Sequence, residues 1–136
     1  MRSKMVTAAA IAAGFVLAHG HALAQKPWPE RSVRMIVPFP PGGGTDIAAR
    51  IVAARLSDEF GQQFVVANRA GAGGTIGAEI AVRATADGYT VIVVSSSYAT
   101  NAALYRLAYD PVTEIAPVTP IGTTAELLLV HPSLPV

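Results

Sequence analysis

The chain has 136 residues, 51% of them apolar and 14% charged, with a formal net charge of +1 and no cysteine. That length allows one ordinary domain. The composition excludes a disordered chain and a nucleic-acid binder, and the missing cysteine excludes disulfides and a lipidated N-terminal cysteine.

Met1-Arg2-Ser3-Lys4 is a short basic start, Met5 to Ala18 is an alanine-rich apolar run, and Ala22-Leu23-Ala24 is a small-x-small cleavage pattern before Gln25. Together they read as a secretory signal peptide over residues 1–24. The apolar run is shorter than the ~20 residues a membrane-spanning helix needs. Cleavage removes Arg2 and Lys4, so the formal charge of +1 becomes −1 and implies no acidic partner. The expected product is soluble and exported, periplasmic in a host with two membranes. His19 and His21 fall in the removed segment.

Lys26-Pro27-Trp28-Pro29-Glu30 is an extended lead-in whose two prolines forbid a helix start. Val33 to Val37 is β-branched-rich and fits a central strand. After Pro38-Phe39-Pro40-Pro41 and the glycines Gly42, Gly43 and Gly44, Thr45 reads as an N-cap and Asp46 as a first-turn acid. Ile47, Ile51, Val52, Leu56 and Phe60 recur at helical spacing and predict one apolar face, with Gly61 as the C-cap. Phe64-Val65-Val66 predicts a second strand ending at Asn68-Arg69. A second glycine loop, Gly71 to Gly77, leads into a helix over Ile76 to Arg83. A turn at Ala86 to Tyr89 precedes the most β-prone stretch, Thr90 to Val94. Ala99 to Tyr105 predicts a short helix. Ile115 to Ile121 and Glu126 to Val130 predict two further strands.

Strands alternating with helices predict an α/β domain with a mostly parallel sheet. Ligands of such sheets sit beyond the carboxyl ends of the strands. Three loops follow strands directly there: Pro38–Thr45, Asn68–Thr75 and Ser95–Thr100. The first delivers free backbone N–H groups at a helix start, where an anionic group can be held.

The glycine loops carry no Gly-Lys-Ser/Thr, and from Gly71 the sixth place of a dinucleotide fingerprint is Ile76. Ser95, Ser96 and Ser97 lie outside any Gly-x-Ser-x-Gly elbow, and the single histidine after residue 24, His131, precedes a proline. No His/Asp/Glu cluster has metal-ligand spacing. The expectation is reversible capture of a carboxylate by backbone N–H groups and hydroxyls, without enzyme chemistry, metal or cofactor. Asp46 either faces away to compensate the helix dipole or binds water or a ligand amino group. Phe39 is either core or a ring beside the cleft. Asn68 and Thr75 read as caps of the second helix and its loop, and Trp28 and Tyr89 as packing.

The runs Val37 to Asp46, Asn68 to Gly77 and Ala86 to Thr90, with Asn101 to Tyr105 and the export signal, resemble the Bug-type solute-binding receptors of tripartite tricarboxylate transporters. The resemblance implies a type II periplasmic binding protein, in which two α/β lobes close on a small carboxylate or related amide. It implies that the membrane components of such a transporter are partners. It carries over Phe39, Gly43, Gly44, Thr45 and Asp46 from the first motif, and Ser95, Ser96, Ser97 and Ala99 from the loop after the third strand. Ala67 and the pair Thr85-Ala86 depart from the family pattern outside this proposed pocket. Because members are longer, residues 25–136 are expected to hold only part of the first lobe, without the second. A truncated, non-functional receptor fragment and a small nucleotide-binding α/β enzyme are the alternatives.

Overall fold

The structure, a computed structural model, describes residues 27–125 and 129–134. The expected leader, residues 1–24, lies outside the described residues. The elements are β1 (Val33–Val37), α1 (Gly44–Phe60), β2 (Phe64–Asn68), a 3-10 turn (Ala72–Gly74), α2 (Thr75–Val82), β3 (Thr90–Ile92) and α3 (Ser97–Leu104). None of the described helices is long and apolar enough to cross a membrane.

The sheet is parallel, in the order β2-β1-β3. Val33 stands opposite Phe64 and Val37 opposite Asn68, while Arg34 to Ile36 face Thr90 to Ile92 on the other side. The ladder runs one step past the strands, where the Arg69 N–H donates to Val37 O (2.8 Å) and the Val93 N–H to Ile36 O (2.9 Å). β1 is therefore central, as its composition predicts, and Val33, Ile36 and Val37 are fully buried. Burying each such side chain contributes roughly 1.5–3 kcal/mol. Right-handed crossovers from β1 to β2 and from β2 to β3, on opposite sides of β1, put α1 and α2 on opposite faces. Both crossovers deliver their loops to the same carboxyl edge of the sheet.

The core against α1 consists of Val33, Met35, Val37, Ala49, Ala53, Phe64 and Val93, with Val52, Leu56, Val66 and Val91 packed around it. This corrects the expected face of α1. Ile47, Ile51 and Phe60 are 53%, 63% and 42% exposed, whereas Asp46, Ala49 and Ala53 are buried. The helical period holds, and Val52 and Leu56 of the expected face do pack on the core, but the face is centred on Ala49 and Ala53. Two alanines let the helix approach the sheet closely, and the larger Ile47 and Ile51 are turned outward. Gly61 does close the helix, with φ 65° and its N–H donated to Ser57 O (3.0 Å).

Three other expectations change. Thr45 is not the N-cap: the helix starts at Gly44, and Gly43 holds the cap position without a side-chain cap bond. Residues 115–121 form no strand, and Val118 is 87% exposed, with no neighbouring strand to complete a ladder among the described residues. Of the expected strand at 126–130, residues 126–128 lie outside the described residues, and Leu129 and Val130 are not in a strand.

Trp28 packs edge-on against Phe60 (5.5 Å) and Phe64 (6.2 Å) and lies tilted beside Tyr89 (6.2 Å). The Arg31 guanidinium sits 3.9 Å over the Tyr89 ring. This aromatic group closes the amino end of the sheet, opposite the loops that follow the strands.

Candidate functional site

At the carboxyl edge the first loop is shaped by Asp46. Its carboxylate is 2% exposed. Oδ2 accepts the Gly42 N–H (2.8 Å) and Arg50 Nε–H (3.0 Å), and Oδ1 accepts Asn68 Nδ2–H (2.9 Å). Counting from the cap at Gly43, Asp46 is the third helical residue, so its carboxylate folds back over the helix start as a capping-box acid does. Here it reaches Gly42, whose φ of +85° is a backbone conformation that glycine adopts freely. The Arg50 side chain, then the Gly42 N–H and Asn68, hold the Asp46 carboxyl well below the usual carboxylate range. The same contact pushes Arg50 upward.

Within the chain the Asp46 side chain is turned back onto the helix start rather than away from it. The carboxylate is an internal anion, partnered by an arginine and two N–H donors. It lies beside a helix start whose Gly44, Thr45 and Asp46 N–H groups have no acceptor among the described residues. Those N–H groups belong to the first turn, where an α-helix has no internal acceptors for them. Gly43 and Gly44 are exposed and Thr45 is partly exposed, so a ligand can reach them.

The other two loops face the same edge. Phe39 is half-buried against the core and its ring meets Gly74: a β-carbon built there would lie 3.4 Å from Phe39 Cζ. A small recess is lined by Phe39, Gly73, Gly74, Ser97, Tyr98 and Asn101. Among the expected residues, Phe39 and Ser97 meet in this recess. Gly43, Gly44, Thr45 and Asp46 lie at the α1 start and do not line it, and Ser95, Ser96 and Ala99 are exposed at the start of α3. Serine commonly caps a helix start, but here no serine side chain does so. Ser95 Oγ and Ser97 Oγ share a hydrogen bond of 2.9 Å, and no side chain caps α3.

Sequence reading missed Asn68, Arg50 and Asn101 as residues that build this edge. Asn68 does not cap α2. It donates from Nδ2 to Phe39 O (3.1 Å) as well as to Asp46, and its Oδ1 accepts Arg50 Nη2–H (3.2 Å). Asn101, buried in α3, donates to Gly73 O (2.9 Å) and so ties the third loop to the second. For the two amides the available signal was position, since Asn68 stands at a strand end and Asn101 within a short, alanine-rich helix. Thr75 Oγ1 donates to Ala72 O (3.0 Å) within the second loop.

A wider groove opens at the amino end of the sheet between Arg31, Arg34, Val65, Arg83, Thr85 and Thr90. It lies away from the loops that follow the strands, and Arg31 and Arg83 there are engaged with Asp87 (2.9 Å) and Glu79 (2.7 Å). The carboxyl edge, with free N–H groups and hydroxyls, is the better candidate. Among the described residues no group of three or more His, Cys, Asp or Glu side chains could hold a metal ion.

Residues 48–136 match the tripartite tricarboxylate transporter family receptor, TctC. The chain is 43% identical over 110 residues to protein BugT of Bordetella pertussis, a stretch that is 79% of this chain and 34% of BugT. It superimposes on the periplasmic binding protein BugD with a TM-score of 0.62 and 42% identity, covering 64% of this chain and 29% of BugD. MatC from Rhodopseudomonas palustris, solved with bound malate, gives a TM-score of 0.60 and 38% identity, covering 64% and 30% of the two chains. The chain thus spans about a third of the length of the curated relative it matches. The three-stranded parallel sheet is part of the α/β fold of periplasmic binding proteins. With these relatives being solute-binding receptors rather than enzymes, the chain belongs to the tripartite tricarboxylate transporter receptor family.

Proposed function

We propose that this chain supplies the carboxylate-holding part of a periplasmic receptor that captures a small organic acid for uptake by a tripartite transporter. The observation that carries the reading is the start of α1, where the N–H groups of Gly44, Thr45 and Asp46 are unaccepted among the described residues. A ligand carboxylate satisfies them, and the helix dipole favours its charge. The Asp46 charge beside them is offset by Arg50, 3.0 Å away. Phe39, Gly43, Gly44, Thr45, Asp46, Ser95, Ser96, Ser97 and Ala99 form the proposed contact set, with Ser97 and Phe39 meeting over the recess. The malate bound to the relative MatC supports a dicarboxylate as the substrate class. Export with cleavage after Ala24 and transfer to membrane components of the transporter belong to the same proposal.

Gly44 offers a clean test. It is the first helical residue, nothing lies within 4 Å of a β-carbon built there, and Gly43 before it has φ −75° and ψ 164°. Proline is favoured at that place and suits such a preceding residue, so Gly44→Pro deletes one N–H without breaking the helix. Malate is titrated into the wild-type chain and the variants by calorimetry and amide NMR. Gly44→Pro is expected to keep its stability and bind about tenfold more weakly or worse, the value of one hydrogen bond to a charged group. Gly44→Ala, which keeps the N–H, separates loss of the donor from crowding. A folded Gly44→Pro chain that binds like wild type overturns the reading, as does a folded wild-type chain that binds neither malate, succinate nor citrate.

A further inference from the structure

Three parts of the chain meet at one side chain: the end of β2, the proline loop and α1. Asn68 stands at the last position of β2, opposite Val37, the last residue of β1. Its Nδ2 bridges Phe39 O (3.1 Å) and Asp46 Oδ1 (2.9 Å), while its Oδ1 accepts Arg50 Nη2–H (3.2 Å). Asp46 in turn holds the Gly42 N–H (2.8 Å). Phe39 and Gly42 bracket Pro40 and Pro41, so the two ends of the proline turn are tied to one strand residue through a single amide. Exposed glycine-containing loops sample many conformations, and freezing each residue costs backbone entropy. A loop fixed in advance gives its N–H groups to a ligand without that cost at the moment of binding.

We propose that Asn68 is a positioning residue: its side-chain amide clamps the Phe39 carbonyl and the Asp46 carboxylate so that the Gly42–Thr45 loop is held ready for a carboxylate. This rests on the reading of that loop as the carboxylate holder. The clamp requires an amide rather than an acid. The side chain must donate to Asp46 and Phe39 O while accepting from Arg50, and an ionised carboxylate at position 68 has no hydrogen to donate. It would also place a second negative charge against Asp46, with Arg50 the charged group that bonds to both positions.

The test is amide hydrogen exchange and malate affinity on the 136-residue chain, comparing wild type, Asn68→Asp and Asn68→Ala. With Asn68→Asp, protection of the Gly42 amide is expected to fall about tenfold or more at pH 7, where the introduced carboxyl is ionised. It should recover toward the wild-type value near pH 4, because a like charge raises that carboxyl's titration and the protonated form regains a donor. Asn68→Ala should lose protection at both pH values without recovery, and malate affinity should follow the same pattern. Equal protection of Gly42 in all three chains, or identical loss in both variants at both pH values, overturns the clamp. Should Asn68→Asp unfold, seen as lost protection at Ile36, the wild type still decides. Its two Nδ2 protons must exchange more slowly than those of a free asparagine side chain, and equal rates overturn the proposal. If Gly42 behaves as expected but malate fails to bind wild type, the carboxylate reading falls and the clamp stands. If malate binds and Gly42 does not depend on Asn68, the clamp alone falls.

Discussion

Gly77 sits against Pro38. A β-carbon built at Gly77 would stand 2.6 Å from Pro38 Cβ, and 2.7 Å from the Arg69 carbonyl oxygen. The contact joins α2 to the start of the first loop, and two of the three atoms met are backbone, so neither can yield by rotating a side chain. Gly77→Ala is expected to cost roughly 1–3 kcal/mol, the usual range for overpacking. Urea unfolding of the variant checks it, and an unchanged midpoint would contradict the close approach.

Ala72 holds φ 47° at the head of the 3-10 turn, in the left-handed region that a β-carbon disfavours by about 1–2 kcal/mol. Ala72→Gly should therefore stabilise the chain by up to about 1 kcal/mol, after the greater freedom of glycine in the unfolded chain is subtracted. At an ordinary negative-φ position an Ala→Gly change destabilises, so the sign of the shift in thermal or urea unfolding is the measurement.

Asp46 makes stability depend on pH in one direction. A carboxyl held low in the folded chain contributes fully above its ordinary value of 3.8, and that contribution is lost as pH falls below it. Asp110, also held low by Thr113 and the Val112 N–H, acts in the same sense, so the difference between two chains is needed. Wild type should lose more stability between pH 5 and pH 2 than Asp46→Asn, which should start less stable at pH 7. Parallel urea midpoints across that window would show that the buried carboxylate adds nothing specific.

The phase of α1 can be checked with two isoleucines. Ile36, fully buried in β1, should lose about 2–5 kcal/mol on replacement by alanine. Ile51 is 63% exposed, and Ile51→Ala should stay within about 0.5 kcal/mol. Comparable losses at the two positions would restore the face expected from periodicity.

The order of strands and helices, the central place of β1, the C-cap at Gly61 and the family resemblance were all legible in the amino-acid sequence. They depend on local propensity, on punctuation by glycine and proline, and on motifs contained within about ten residues. Tertiary structure decided the rest, because each remaining feature joins residues distant in the chain. Ala49 and Ala53, rather than Ile47 and Ile51, face the sheet because close approach favours small side chains, a choice periodicity cannot make. The strand expected at 115–121 needs a neighbour to accept its backbone bonds, which composition cannot provide. Asp46 finds Asn68 across 22 positions, and Asn101 finds Gly73 across 28. By itself the sequence determined that a glycine loop would open a helix at the carboxyl edge of the sheet. Only the fold decided which buried carboxylate, arginine and amide hold that loop in shape, since hydrogen-bond partners are chosen by position in space.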